Sequence, residues 1–326
     1  MRFYLKFLCL GFFLFNGCFF ISPNLGPLAG GGPLPLQEVR LTGEGRAKIL
    51  LIDISGVLKL ETEDRPFFLG SKESPVEAVV KRLQAASHDP NVVAVILRVN
   101  SPGGTVTASD ILYHEILEFK DQTRIPVIVA MMDVAASGAY YVAMASDKVI
   151  AHPTTITGSI GVIMTHISVE GLLQKIGVSG TNIVSGENKD IGTPFKDLST
   201  EDQKILQSVI DSHYQTFVSV VQKGRKTLSE KEVRRLADGR IYTAEQALSA
   251  GLIDQIGYLD DAIEEAKKRA GVIQALVVIY TTPDKPRETI YSGIDSRAQY
   301  PALLGPLSPL LNLDPNFLYL WLPPGN

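Results

Sequence analysis

Pro126-Val127-Ile128-Val129-Ala130-Met131-Met132-Asp133-Val134-Ala135-Ala136-Ser137-Gly138-Ala139-Tyr140-Tyr141 is the stretch that decides the fold. The apolar run 126–132 carries no alternation and reads as a strand buried on both faces. The apolar stretch 139–145 that follows reads as a helix. Between them Ser137 stands at a strand-to-helix turn, flanked by Ala136 and Gly138. Such a turn holds a nucleophilic hydroxyl exposed beside backbone N–H donors. The plainer alternative is a serine that caps the helix.

Outward from this unit the same pattern repeats. Residues 48–54 and 92–99 read as strands, and 147–151 as a short one. Residues 75–86 read as a helix with Ser74 as N-cap, Pro75 at its first position and Val79, Val80 and Leu83 on one face. Residues 109–119 form a second helix. Strand–helix units with two-sided apolar strands indicate an α/β fold, a parallel sheet with helices packed on its faces. Ligands in such folds bind beyond the carboxyl ends of the strands, where Ser137 and the Gly103-Gly104 pair both fall. Downstream, 160–169 reads as extended, and Ser199 caps a long amphipathic helix over 200–222. Helices over 230–237, 244–250 and 260–270 and a last strand over 276–280 complete the expected domain, residues 41–280. The tail 281–326 mixes leucines with prolines and cannot sustain regular helix.

The N-terminus carries a different message. Arg2 and Lys6 precede an apolar run over 7–21, and no charge follows until Glu38. A basic flank before such a run marks an export signal or a membrane anchor. Three readings stay open for residues 1–40: a retained anchor, a cleaved signal, and a lipoprotein signal using Cys18. Each places the rest of the chain outside the cytoplasm, on the periplasmic or outer face of an inner membrane. Both cysteines, Cys9 and Cys18, lie in this segment, which excludes a thiol nucleophile, a disulfide or a thiolate metal site from the folded part. A net charge of −4 over 326 residues, with no basic run, gives no footing for a nucleic-acid partner.

Four local features carry chemistry. In Asn100-Ser101-Pro102-Gly103-Gly104 two glycines free backbone N–H groups to face a ligand. The second feature is Ser137-Gly138, and the third is Thr157-Gly158-Ser159-Ile160-Gly161-Val162. The fourth is the polar loop 185–195, which bears Lys189. A serine nucleophile needs a base, and the histidines are poorly placed. His88 sits beside Asp89-Pro90, His114 and His213 sit mid-helix, and His152 precedes Pro153, which leaves His166 as the reserve. A lysine serves where its surroundings favour the neutral amine, and Ser–Lys is a known variant of the triad.

These motifs, together with Lys189-Asp190-Ile191-Gly192-Thr193-Pro194, Ala237-Asp238-Gly239-Arg240-Ile241-Tyr242-Thr243 and Gly251-Leu252-Ile253-Asp254, resemble the signal peptide peptidase A family. Matching motifs run in order over about residues 48–260, and the chain is similar to the short, single-domain form. The resemblance implies the crotonase/Clp-protease fold and a membrane-associated serine endopeptidase that cleaves remnant signal peptides and misplaced membrane-protein fragments. It implies Ser137 as nucleophile, Lys189 as general base, Ser159 as the hydroxyl that holds the lysine amine, and the N–H groups of Gly104 and Gly138 as the oxyanion hole. It implies no metal or cofactor, peptide and membrane as partners, and a ring-like homo-oligomer whose sites face a lumen. The tail then fits either subunit contacts or occupancy of that lumen. Two departures stand out, Ala139 where the family more often has glycine and Asn188 where an aromatic is common. The competing readings are an acyl-CoA-handling crotonase relative and a catalytically inactive scaffold on the same fold.

Overall fold

The computed structural model describes residues 36–61, 73–282, 289–292 and 318–321. Residues 1–35 of the expected export segment, and all of the tail except 281–282, 289–292 and 318–321, lie outside the described residues; residues 37–40, expected to belong to the linker, instead begin the first strand of the sheet.

The longest strands are the apolar runs of the sequence: β2 (Lys48–Ser55), β3 (Val92–Ser101) and β5 (Val127–Ala136). They pair in parallel, β2 with β3 and β3 with β5. Helix α1 (Pro75–His88) starts where Ser74 Oγ accepts from the Glu77 N–H at 3.1 Å. Helix α2 (Val106–Thr123) starts three residues earlier than periodicity suggests, because the Thr105 side chain caps it through the Ala108 N–H. After β5 come α3 (Gly138–Ala143) and β6 (Lys148–Ala151), which pairs with β5 in parallel. Then come β7 (Ile156–Gly158) and α4 (Glu170–Lys175).

The segment 160–169, expected to be extended, forms no named strand, though Ile163 makes one isolated bridge. Helix α5 (Thr200–Gly224) carries a full capping box between Ser199 and Asp202. It is followed by α6 (Glu230–Leu236), β8 (Ile241–Thr243), α7 (Ala244–Ser249), β9 (Gln255–Ile256), α8 (Leu259–Ala270) and β10 (Leu276–Thr281). An N-terminal strand, β1 (Gln37–Gly43), pairs antiparallel with β10. The strand expected to be last is not: β11 (Leu318–Leu320) follows it.

Among the described residues nine strands form one sheet, in the order β1-β10-β2-β3-β5-β6-β9, with β7 added beside β5 and β8 beside β7. Pairing is parallel except for β1 with β10 and β7 with β8. Successive residues of β2 face opposite sides. Leu50, Ile52 and Ile54 pack with residues of α1, α2, α3 and α5, while Ile49 and Leu51 pack with Leu259, Ala262, Ile263 and Ala266 of α8. Every one of these strand side chains is fully buried, which is worth about 1.5–3 kcal/mol apiece. This two-sided core makes the sheet a rigid platform whose carboxyl ends present the site.

Candidate active site

Strand β5 delivers Ser137 directly past its last residue. The backbone there is bent to φ 54°, ψ −117°, and the side chain makes no capping hydrogen bond. An N-cap residue sits in the extended region and accepts from the first turn, so helix capping does not account for Ser137. A non-glycine residue at such a φ is strained and persists only where the surroundings hold it, as at functional turns. Two bonds hold it here: the Ser137 N–H donates to Gly158 O at 2.7 Å, and Ser137 O accepts from the Tyr141 N–H at 2.9 Å. Helix α3 is anchored below by its tyrosines. Tyr140 Oη donates to Leu252 O at 2.7 Å, and Tyr141 Oη donates to Asp110 Oδ1 at 2.6 Å. Burial pushes the Tyr140 phenol up to about 12, so it stays a donor.

The parallel register of β5 and β7 pairs Ala136 with Gly158, so Ser137 and Ser159 emerge side by side from neighbouring strands. Ser159 is also forced to positive φ, 50°, and its N–H donates to Arg240 O at 2.7 Å. Of the three described non-glycine residues at positive φ, two are these serines.

The glycine turn is a short strand, β4 (Gly103–Thr105), clamped on one edge. The Leu58 N–H donates to Gly103 O at 2.8 Å, and the Thr105 N–H donates to Leu58 O at 2.9 Å. These bonds use the Leu58-facing groups of Gly103 and Thr105, which leaves the N–H and C=O of Gly104 on the opposite edge, toward the cleft. Gly104 has to be glycine because a Cβ there would lie 2.0 Å from Leu58 O. A Cβ at Gly138 would come within 3.1 Å of the Gly104 nitrogen, so the two positions converge.

Lys189 lies elsewhere. It is exposed, on a loop of consecutive turns in which the Lys189 N–H donates to Gly186 O at 3.0 Å and the Thr193 N–H to Asp190 O at 3.1 Å. An Asp190–Lys196 ion pair braces the loop, and Lys196 pulls the Asp190 carboxyl below its ordinary range. His166 Nε2 lies 3.0 Å from Thr193 O, which ties this ring to the lysine loop. Among the described residues no hydrogen bond or ion pair joins the Lys189 side chain to Ser137 or Ser159. The fold thus gathers Ser137, Ser159, Gly104 and Gly138, while Lys189 stands on the exposed loop.

Periodicity gave no sign of what lines the remaining edge of the cleft. Strand β11 pairs antiparallel with β4, and Tyr319 is fully buried against Tyr141 and Phe217. The one available signal was the short apolar run 317–322 between Pro315 and Pro323.

The model of Peptidase family S49 matches residues 119–273. A protein named signal peptide peptidase SppA in Enterococcus faecium is 37% identical over 244 residues, 75% of this chain and 70% of the relative. A protein named as a protease in Synechocystis sp. is 38% identical over 255 residues, 78% of this chain and 86% of the relative. Protease 4 of Salmonella typhi is 34% identical over 226 residues, which are 69% of this chain but 35% of that longer protein. Levels of identity near two in five over most of both chains leave one assignment: this chain belongs to the signal peptide peptidase A family of S49 peptidases.

Proposed function

We propose that the protein is a serine endopeptidase using a Ser137–Lys189 dyad, with remnant signal peptides and misplaced membrane-protein fragments as substrates. The observation that carries the reading is the strained Ser137 turn, φ 54°, opening beside the converging backbones of Gly104 and Gly138. In this reading the Lys189 amine takes the proton of Ser137 Oγ as that oxygen bonds to the scissile carbonyl carbon. The N–H groups of Gly104 and Gly138 hold the resulting oxyanion, a contribution of about 3–4 kcal/mol for a donor of this kind. The lysine ammonium then protonates the leaving amine as the C–N bond breaks. Water hydrolyses the ester by the same steps in reverse. Ser159, emerging beside Ser137, holds the lysine amine.

Because the Lys189 loop is exposed, its approach belongs to the assembled enzyme, a ring-like homo-oligomer. Residues 1–40 carry the chain to the membrane and residues 41–280 work on its extracytoplasmic side. Extended apolar peptides suit the cleft because strand addition needs few specific side chains. The test is labelling by a serine-directed fluorophosphonate. The wild-type chain takes the label and Ser137→Ala does not; equal labelling of both overturns the assignment.

A further inference from the structure

We infer that Asn100 and Thr155 are positioning residues, whose side chains hold a two-residue bulge in β5 that sets Ser137 level with the Gly103-Gly104 turn. The inference deepens the peptidase reading and rests on it for the reaction that this alignment serves.

The register locates the bulge. Strands β3 and β5 run one for one from Val95 opposite Val127 to Val99 opposite Met131. The next pair is Ser101 with Ala135, so two steps along β3 are matched by four along β5. The two extra residues fall where β5 changes neighbours: up to Met131 its far edge pairs with β6, and from Val134 it pairs with β7. A bulge re-aims the part of a strand that follows it. Ser137 and Gly103 now each stand two residues past the Ser101–Ala135 pair. Had the one-for-one register continued, Ser137 would lie two residues, about 7 Å, further along. A Cβ at Gly103 would lie 2.6 Å from the Gly138 nitrogen and 3.1 Å from Ala136 O, so the glycine turn and the nucleophile turn meet at this level.

The bulge takes backbone groups of β5 out of the ladder, and side chains from both neighbouring segments take them up. Asn100 Oδ1 accepts from the Val134 N–H at 3.0 Å, and Asn100 Nδ2 donates to Asp133 Oδ2 at 3.3 Å. The Thr155 hydroxyl, just ahead of β7, donates to Met132 O at 2.5 Å and lies 3.1 Å from Met131 O. Beyond the bulge, Thr157 Oγ1 donates to Ala135 O at 2.6 Å. Both threonines are fully buried and Asn100 nearly so, which keeps water from taking their place. A buried N–H or carbonyl stripped of its partner is costly, and β5 relieves that cost by shifting where the bulge sits. Asn100 and Thr155 thus fasten the bulge from opposite sides. Their bonds to it are made upstream of Ser137, and they act through its position.

The test compares Asn100→Ala, Thr155→Val and Thr155→Ser in the full chain, by hydrolysis of an apolar fluorogenic peptide and by hydrogen exchange. Asn100→Ala and Thr155→Val lower kcat per folded chain about 10- to 100-fold while KM moves less than about threefold, because a displaced nucleophile weakens the transition state rather than ground-state binding. Thr155→Ser keeps the hydroxyl and stays within about threefold of wild type in both constants. Amides of residues 132–137 exchange about tenfold faster or more in the two disrupted variants, while those of 127–131 exchange as in wild type. Asn100→Ala, acting from the other strand, covers the case in which Thr155→Val does not fold. An unchanged kcat in the disrupted variants, or a Thr155→Ser that falls as far as Thr155→Val, overturns the inference. A wild-type chain inert to both the peptide and a fluorophosphonate removes the peptidase reading instead, and exchange then decides alone: selective opening of 132–137 keeps the fastened bulge, and unchanged exchange removes it.

Discussion

Ser137 spends conformational energy to stand where it does, of order 1–3 kcal/mol for a non-glycine residue at such a φ. Removing its hydroxyl leaves the backbone unchanged, so Ser137→Ala abolishes peptide hydrolysis with little change in thermal midpoint, measured side by side on one preparation. Gly104→Ala behaves differently. Its new methyl meets Leu58 O at 2.0 Å, which pushes β4 off its clamp and displaces the N–H proposed as an oxyanion donor. We expect kcat to fall about 10²- to 10³-fold, the range for losing one such donor, together with a lower melting temperature. Ser137, Ser159 and the glycine pair were all legible from residue type and local spacing. The strain at Ser137 and Ser159 was not, since φ is set by bonds to Gly158 and Arg240 that are distant in sequence. Nor was the exposure of Lys189, because how far a loop is covered depends on what it packs against.

At the scale of elements, the junction of α1, β2 and β10 is held by charge. Asp89 at the end of α1 bonds to Lys48 of β2 at 2.8 Å and to the Tyr280 hydroxyl of β10 at 2.8 Å. Burial pushes the Asp89 carboxyl up, but Lys48, the Asn91 N–H and Tyr280 together outweigh it and hold the group at about 2. A carboxyl lowered on folding stabilises the native state above its ordinary value of 3.8 and loses that contribution as pH falls toward about 2. Denaturation midpoints measured from pH 5 down to pH 2 therefore decline more steeply in the wild-type chain than in Asp89→Asn; parallel declines would remove this pair from acid stability. Ser199→Ala opens the capping box of α5 and lowers stability by about 1 kcal/mol in urea unfolding. The long apolar strands β2, β3 and β5 and the capped helices were legible, since burial on two faces and a Ser or Thr before a helix are local signals. Strands β4, β7, β8 and β11 were not. Each is three residues long, and what makes it a strand is its partner: β11 pairs with residues more than 200 positions earlier.

At the scale of the whole molecule, the sheet gathers four of the five expected site residues, and the fifth, Lys189, stands on an exposed loop. If Lys189 crosses between copies, mixing inactive Ser137→Ala with inactive Lys189→Ala chains restores about a quarter of the activity on statistical pairing of equal amounts. Activity that stays at background in assembled mixtures places the lysine within its own chain. The apolar run 7–21 and most of the tail lie outside the described residues, and among the described residues no helix is long and apolar enough to cross a membrane. The strand lodged beside Gly104 has a corollary in solution. A strand joined by peptide bonds to the edge it completes is present there in a one-to-one ratio at every dilution. The emission of Trp321 should therefore hold constant as the protein is diluted, whereas a strand supplied by a separate polypeptide would let go and the emission would shift to the red.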